Sequence, residues 1–195
     1  ATPLGAIETW SPELRALVRT LLVSPVPMTL LWGDCGILLY NDGYAKVCGL
    51  RHPAALGGCL LDVWPEARDF NARVIEAGMA GRALSFRSQE LELWRRGHPE
   101  TVWMDLEYTP VHDAAGRPAG MLAMVFDITH RVLAEQRLRR SEELYRFLDD
   151  LSQAVSTLHD ADEVLRVTTK MVAAHLAISS CAYADMDEDG DGFTI

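Results

Sequence analysis

The sequence of 195 residues lacks any long apolar run and has few basic residues. A membrane-spanning helix needs roughly 20 consecutive apolar residues, and no run here approaches that length. The 18 Lys and Arg residues are outnumbered by 28 Asp and Glu residues, which gives a formal net charge of −10. Such a charge repels the phosphate backbone of nucleic acids. We therefore expect a soluble chain that binds neither membranes nor nucleic acids.

Cysteine is also scarce, and its spacing excludes the common metal sites. The four cysteines, Cys35, Cys48, Cys59 and Cys181, form no Cys-x-x-Cys pair. Without a secretory signal, they are expected to be reduced thiols of a cytoplasmic protein that binds no metal. Because the chain begins with Ala1 and not with Met, we expect it to be a fragment of a longer protein.

Catalytic motifs are missing as well. No nucleophile and base, paired carboxylates, P-loop or Gly-rich nucleotide lid stands out, so the chain is not expected to be an enzyme. The box His130-Arg131-Val132 superficially resembles a histidine-kinase phosphoacceptor, but it follows directly on a strand. With His52, His98 and His112, it is interpreted as a solvated surface histidine.

Hydrophobic periodicity and turn residues predict a mixed α+β body between two helical segments. Ser11-Pro12 is a good N-cap and N1 pair for a flanking helix that runs to about Leu22. A longer helix is predicted from Ala67 to Ala80. Period-two segments bounded by Gly, Pro and Asp predict strands at 28–33, 36–41, 83–94, 101–111 and 121–126.

The last strand runs directly into a charged helix through Asp127-Ile128-Thr129. Short polar side chains at this point can cap the unpaired N–H groups of the first helical turn, and an acid also suits the positive end of the helix dipole. We therefore predict that Asp127 and Thr129 fix the angle at which the strand enters the helix. Such a connection could relay a change in the sheet to whatever lies downstream.

These motifs, in this order, resemble a PAS domain of a bacterial signalling protein. The C-terminal half carries Trp103-x-x-x, Thr109-Pro-Val, Asp113-x-x-Gly and the closing Asp-Ile-Thr. The N-terminal half has a strand that ends at Asn41, a short helix and the pair Leu56-Gly57. The resemblance implies a five-stranded antiparallel sheet with helices on one face, an N-terminal flanking helix and a long C-terminal coiled-coil helix. The expected segments are a flanking helix (1–24), a PAS domain (25–129), a signalling helix (130–159) and an incomplete GAF-like start (160–195).

The resemblance also implies a function, namely a sensory and dimerisation input module of a two-component protein such as a sensor histidine kinase. The signal would pass through the C-terminal helix to an output domain of the same chain. Two alternatives stay open, a flavin- or haem-binding sensor of light or gas and a purely structural dimerisation element without ligand. Cys59 lies near the position of the reactive cysteine in light-oxygen-voltage domains, but the neighbouring Asn and the Arg-Phe-Leu-Gln run are missing. Haem-binding PAS domains usually have a His on the long helix, and 67–80 contains none.

A small-molecule pocket can be proposed from strand alternation, although filled core is the preferred interpretation because no convergent charge is present. No cofactor is predicted, and an unknown small ligand would contact side chains from the short helix, the long helix and two strands. The proposed lining is Tyr44, Trp64, Phe70, Val74, Met104, Leu106, Tyr108, Leu122, Met124 and Phe126.

Beyond residue 130, apolar residues recur at intervals of four and three, which indicates a coiled-coil seam. A parallel homodimer is favoured over packing on the chain's own domain, because the stripe continues past the end of the sheet. The predicted dimer residues are Leu138, Leu144, Leu148, Leu151 and Val155.

The C-terminal segment resembles the opening of a GAF domain. Asp160 to Glu163 form a capping box that opens another amphipathic helix, and a strand and a hairpin loop are predicted after it. The run Asp185 to Gly190 mimics the start of an EF-hand loop but lacks the carboxylate at position twelve, so a solvated acidic hairpin is expected.

Overall fold

The computed structural model describes residues 3–179 and the backbone of 185–186 and 193–194. The chain forms two units, 1–132 and 133–195. In the first unit, the strands are β1 (Met28–Trp32), β2 (Ile37–Tyr40), β3 (Leu84–Leu93), β4 (Glu100–His112) and β5 (Pro118–Asp127). The helices are α1 (Pro12–Val23), α2 (Asp42–Cys48), α3 (Leu60–Val63) and α4 (Arg68–Met79). Helix α5 (Thr129–Ser156) begins in this unit, and α6 (Ala161–Leu176) follows in the second.

The five strands form one antiparallel sheet in the order β2-β1-β5-β4-β3. Helices α2, α3 and α4 supply residues to the cluster on its inner face, and α1 to the cluster on its outer face. The predicted α+β fold, with a flanking helix and a long C-terminal helix, is therefore confirmed. Within the described residues, no helix is both long enough and apolar enough to cross a membrane.

Helix α1 begins where the sequence predicted, because the Ser11 side chain accepts a hydrogen bond from the backbone N–H of Leu14 at 3.2 Å. Pro12 at N1 has no N–H to leave unpaired. The helix covers one face of the sheet through an aliphatic cluster. This outer cluster comprises Leu14, Leu21, Met28, Leu30, Leu39 and Val111.

Asn41 joins this outer layer to the inner helices. Its amide Nδ2 donates to the backbone oxygens of Leu21, Ser24 and Val26, at 3.2, 3.1 and 2.7 Å. Its Oδ1 accepts from the backbone N–H groups of Met28 at 3.1 Å and Tyr44 at 3.0 Å. The strand-ending Asn of the sequence pattern is thus a buried cap of α2 that also fixes the end of α1.

The inner face carries the larger and more aromatic core. Alternate residues of the strands point towards α2, α3 and α4, among them Leu31, Leu38, Met104, Leu106 and Tyr108. Gly78 of α4 lies so close to Met121 of β5 that a Cβ atom would collide with that side chain. This close approach of α4 to the sheet leaves little free space at that end of the inner face.

In the second unit, α6 is capped as predicted, since Asp160 Oδ2 accepts from the backbone N–H of Glu163 at 3.3 Å. The ring of Phe147 in α5 stacks on His175 of α6 with centroids 4.0 Å apart. Strand β6 (Asp185–Met186) pairs antiparallel with β7 (Phe193–Thr194). The predicted acidic loop between these strands lies outside the described residues, as does most of the strand predicted before it.

Candidate functional site

The inner face of the sheet encloses a cavity of about 40 Å³. Strands β1, β3, β4 and β5 form its floor, and α2, α3 and α4 form its walls. A single water needs roughly 10–15 Å³ measured with a water-sized probe, whereas drug-sized ligands occupy pockets of about 300–1,000 Å³. The space therefore fits one or a few waters, and a larger molecule would require the walls to move. The lining residues are Thr29, Leu31, Tyr44, Val47, Leu60, Trp64, Ala67, Phe70, Asn71, Leu91, Leu93, Met104, Tyr108 and Val125.

Unmatched polar groups distinguish the cavity from an ordinary core void. Nε1 of Trp64 is buried without a hydrogen-bond partner among the described residues. The Tyr44 hydroxyl lies near this N–H, but the contact does not meet hydrogen-bond geometry. The Asn71 amide, which is only 7% exposed, makes no hydrogen bond to any described residue. An acceptor placed in the cavity could pair with the Trp64 N–H, which otherwise loses its hydration, and with the Asn71 amide, which has no described partner to give up.

The titratable groups on the cavity wall are neutral. Burial raises the pKa of Tyr108 well above its usual value. Burial, with smaller contributions from Cys48 and Tyr108, raises the pKa of Tyr44 in the same way. Because both hydroxyls stay protonated at neutral pH and the lining has no charged residue, the cavity favours an uncharged occupant.

Five of the ten predicted pocket residues line this cavity, namely Tyr44, Trp64, Phe70, Met104 and Tyr108. Val74 and Leu106 are buried in the same inner core but do not reach the cavity. A ligand-binding role of these residues stays a prediction.

The predicted face of β5 was wrong. Leu122 and Met124 pack against the outer cluster, and Phe126 is 39% exposed. The register pairs Tyr108 with Ala123 and Leu106 with Val125, so the inward residues of β5 are Met121, Ala123 and Val125. Since α1 covers the outer face, both sides of β5 are apolar there, and alternation alone could not identify the inner side.

A second group of residues surrounds the start of α5 and contacts it through polar atoms, and we call it the helix-entry cluster: Arg95, Glu100, Trp103 (by its backbone), Asp127 and Thr129. The Arg95 guanidinium, with its side chain 7% exposed, pairs with Glu100 at 2.7 Å and with Asp127 Oδ2 at 2.6 Å. Asp127 Oδ1 accepts the backbone N–H of Thr129 at 3.0 Å, which confirms that Asp127 binds an N–H of the first helical turn.

The predicted capping role of Thr129 was wrong. Its hydroxyl accepts the backbone N–H of Trp103 in β4 at 3.1 Å, and the N–H of Ile128 donates to the Trp103 oxygen at 2.9 Å. Thr129 therefore fastens the helix start to the neighbouring strand instead of capping the helix. Sequence reasoning missed Arg95 because a basic residue in a hairpin turn normally indicates solvent exposure.

Hydrogen bonding determines the charge state of the cluster. Partial burial by itself would raise the pKa of Asp127, but hydrogen bonds from Thr129 and Arg95 outweigh it and hold the pKa below its usual value. Burial lowers the pKa of Arg95 less than its bonds to Glu100 and Asp127 raise it. Asp127 and Arg95 are thus held as an ion pair at neutral pH, and the Arg95 guanidinium also contacts Glu100.

The predicted dimer residues lie on α5 with different exposures. Leu138 is 62% exposed, and Leu144 and Leu148 are each 47% exposed. Leu151 and Val155 are half-buried, as is Phe147, whose ring stacks on α6. Leu144 and Leu148, one turn apart, form an apolar stripe that no described residue covers, and Leu138 lies on a different side of the helix.

The prediction of reduced thiols was wrong for two of the four cysteines. Cys35, in the turn between β1 and β2, forms a disulfide with Cys59, which directly precedes α3. The two cysteines are 24 residues apart in the sequence, and no local pattern links them. They meet because residues 57–59 pair with the edge strand β2. The bond also leaves Cys59 without a free thiol for a flavin adduct. Cys48 is a buried free thiol, as expected.

Comparison with known proteins agrees with this α+β fold. The family described as "PAS fold" matches residues 23–133, which is more than half of the chain. The chain therefore belongs to the PAS family.

A shorter stretch is related to a curated signalling protein. Over 77 residues, the chain is 36% identical to the two-component sensor PprA of Pseudomonas aeruginosa. The match covers 40% of this chain and only 8% of that protein.

Two solved structures share the fold. The PAS domain of BvgS from Bordetella pertussis aligns with a TM-score of 0.52 and 19% identity over 68% of this chain and 98% of that one. The RsLOV d2 variant aligns with a TM-score of 0.50 and 18% identity over 87% of this chain and 96% of that one. At these identities the likeness concerns the fold alone.

Proposed function

We propose that this chain is the sensory and dimerisation input module of a two-component signalling protein. In this proposal, a change in the PAS domain passes through α5 to an output domain of the same longer protein, such as a histidine kinase. The membership in the PAS family and the likeness to a two-component sensor support the proposal.

The helix-entry cluster is the observation on which the proposal depends. Arg95 contacts three parts of the domain: its guanidinium binds Glu100 and Asp127, and its backbone oxygen accepts the N–H of Leu50 at 2.9 Å. Leu50 lies two residues after the end of α2, which contributes Tyr44 and Val47 to the cavity wall. A displacement of α2 would therefore reach the first turn of α5 through Arg95, whose backbone contacts Leu50 and whose guanidinium contacts Asp127.

Substitutions in the cluster test this relay in the full-length protein. Arg95→Gln or Asp127→Ala should uncouple kinase output from input or lock it in one state, and Thr129→Ala should do so more weakly. Loss of the bond to the helix N–H costs about 1 kcal/mol, and loss of one of the two carboxylates that pair with Arg95 adds about 1–3 kcal/mol. The sum is below a domain stability of about 5–15 kcal/mol, so Asp127→Ala should leave the sheet folded.

Arg117→Gln is the matched control, because Arg117 pairs with Asp113 at 2.8 Å on the surface, away from α5. Its output and regulation should equal those of the native protein. If the Arg95 and Asp127 variants also keep normal regulated output, the cluster is only a structural joint and the relay is rejected.

Dimerisation is proposed to use the exposed stripe of α5. Leu144 and Leu148 face solvent although each could bury a large apolar surface against a second copy. Light scattering of the native chain should give a dimer at micromolar concentration, and Leu148→Glu should give a monomer. Gln153→Glu, on the opposite side of the helix, should stay dimeric. A monomeric native chain would contradict the proposal.

The small cavity favours a second candidate, a relay and dimerisation element that binds no ligand. Native mass spectrometry and the absorption spectrum of the purified protein separate the two. We expect no absorption band above about 300 nm, beyond that of its own aromatic residues. A retained small molecule would support sensing by ligand binding, and a retained flavin or haem band would restore the chromophore alternative.

A further inference from the structure

The disulfide lies beside the cavity, at the edge of the sheet. Cys35 and Cys59 have Cα atoms 5.4 Å apart, which is an ordinary separation for a disulfide. Both residues are half-buried and keep part of their surface in solvent, which is the side from which a small thiol would approach the bond. The backbone around them is held separately, because the Leu60 N–H donates to the Gly36 oxygen at 3.1 Å and Ile37 forms a β-bridge with Cys59.

The loop closed by this bond forms one wall of the cavity. Residues 35–59 include β2 and α2, and α2 contributes Tyr44 and Val47 to the lining. Directly after Cys59, α3 supplies Leu60, and Trp64 follows with its unpaired Nε1. The bond therefore ties the wall that carries the unpaired Trp64 N–H to the turn that precedes the edge strand β2.

We propose that Cys35 and Cys59 form a reversible redox clasp that controls how tightly the α3 wall closes the cavity. In reduction, two molecules of a small thiol such as glutathione supply two electrons and two protons. The sulfur–sulfur bond between the cysteines breaks, both become thiols, and the reductant leaves as its own disulfide. The surrounding backbone hydrogen bonds keep the two thiols adjacent, so that the bond can form again.

The remaining described cysteine does not compete for this exchange. Cys48 is buried in α2, and burial raises the pKa of its thiol to about 12. A protonated, inaccessible thiol is a poor nucleophile, so exchange is directed to the Cys35–Cys59 pair. The clasp gives the proposed sensory function a means of regulation, but its chemistry can be measured without any kinase output.

The first test follows the bond itself. The chain is equilibrated in glutathione buffers of graded ratio, alkylated, digested and analysed by mass spectrometry. We expect a disulfide-linked pair of Cys35 and Cys59 peptides in oxidising buffer and two alkylated cysteines in reducing buffer, with full return on reoxidation. A pair that never forms, or that is reduced only after the protein is denatured, would overturn the proposal.

The second test follows the wall. Hydrogen exchange in 57–64 should be faster in the reduced protein than in the oxidised one, while the β4 and β5 amides remain unchanged. The melting temperature should fall by about 5–10 °C on reduction, as expected when a loop of this size is opened. Cys35→Ser with Cys59→Ser should behave like the reduced protein in both buffers, and Cys181→Ser should behave like the native chain.

If hydrogen exchange in 57–64 is equally fast in both redox states, the disulfide does not influence the cavity wall, and the proposed clasp is rejected. This outcome is independent of the relay, which is judged by output of the Arg95 variants. The clasp can therefore fail while the proposed function stands, and the reverse also holds.

Discussion

The outer face of the sheet and its inner face both carry buried apolar residues, but they are completed in different ways. The outer face is covered by α1 with aliphatic side chains, and the Asn41 amide there makes five hydrogen bonds. The inner face is covered by three helices with aromatic side chains, and it retains a cavity lined by Trp64, whose Nε1 has no described partner. Trp10 Nε1, beside the outer cluster, is also without a described partner, so the two faces differ in the cavity and not in unpaired donors. In the described part of the chain, the outer layer is therefore packed without a comparable cavity and stabilises the sheet. The cavity gives the side chains of the inner layer room to move.

The largest expected difference between the layers concerns their two buried asparagines. Asn41→Ala should lower the free energy of unfolding by roughly 4 kcal/mol, because it leaves several buried backbone groups without partners. Asn71→Ala, on the cavity wall, should cost less than about 1 kcal/mol, since that amide has no described partner to lose. Urea unfolding of the chain measures both values, and equal losses would refute the contrast.

Replacing a valine by the larger isoleucine should change the stability of the domain in opposite directions on the two faces. Val125→Ile adds a methyl group beside the cavity and should stabilise the domain by up to about 1 kcal/mol. Val111→Ile adds the same group to the filled outer cluster and should destabilise it by about 1–2 kcal/mol. Thermal unfolding of both variants gives the comparison, and stabilisation at Val111 would show that the outer layer also holds free space.

The same contrast explains what could be predicted from the sequence. Local signals identified the caps at Ser11 and Asp160, the hairpin of β3 and β4 and the helix after Asp127. Contacts between distant segments could not be predicted in this way. Pairing of Cys35 with Cys59, burial of Arg95 and the bond from Trp103 to Thr129 all depend on strand order and register. The inward-facing residues of β5 were predicted wrongly, because the cover by α1 makes both sides of this strand apolar.

The smallest expected effect is a pH dependence at the point where the inner layer meets α5. The pKa of Asp127 is lower in the folded protein than its usual value of 3.8, so its contribution to stability is present above about pH 4. That contribution is lost as the pH falls through the folded-state pKa, because the folded carboxylate must then take up a proton. Because the Asp127 side chain is 28% exposed, we expect its ionisation to contribute only about 1 kcal/mol to the free energy of unfolding.

Urea unfolding should show that the native chain loses this contribution to its free energy of unfolding between pH 7 and pH 3, and that Asp127→Asn does not. Asp113→Asn is the matched control, since the pKa of Asp113 is also lowered, chiefly by the backbone N–H of Arg117, but on the exposed surface. A pH-dependent loss of stability that persists unchanged in Asp127→Asn would place the titrating group elsewhere. The buried Arg95 would then not depend on this carboxylate, and the helix entry would be held chiefly by the bond from Trp103 to Thr129.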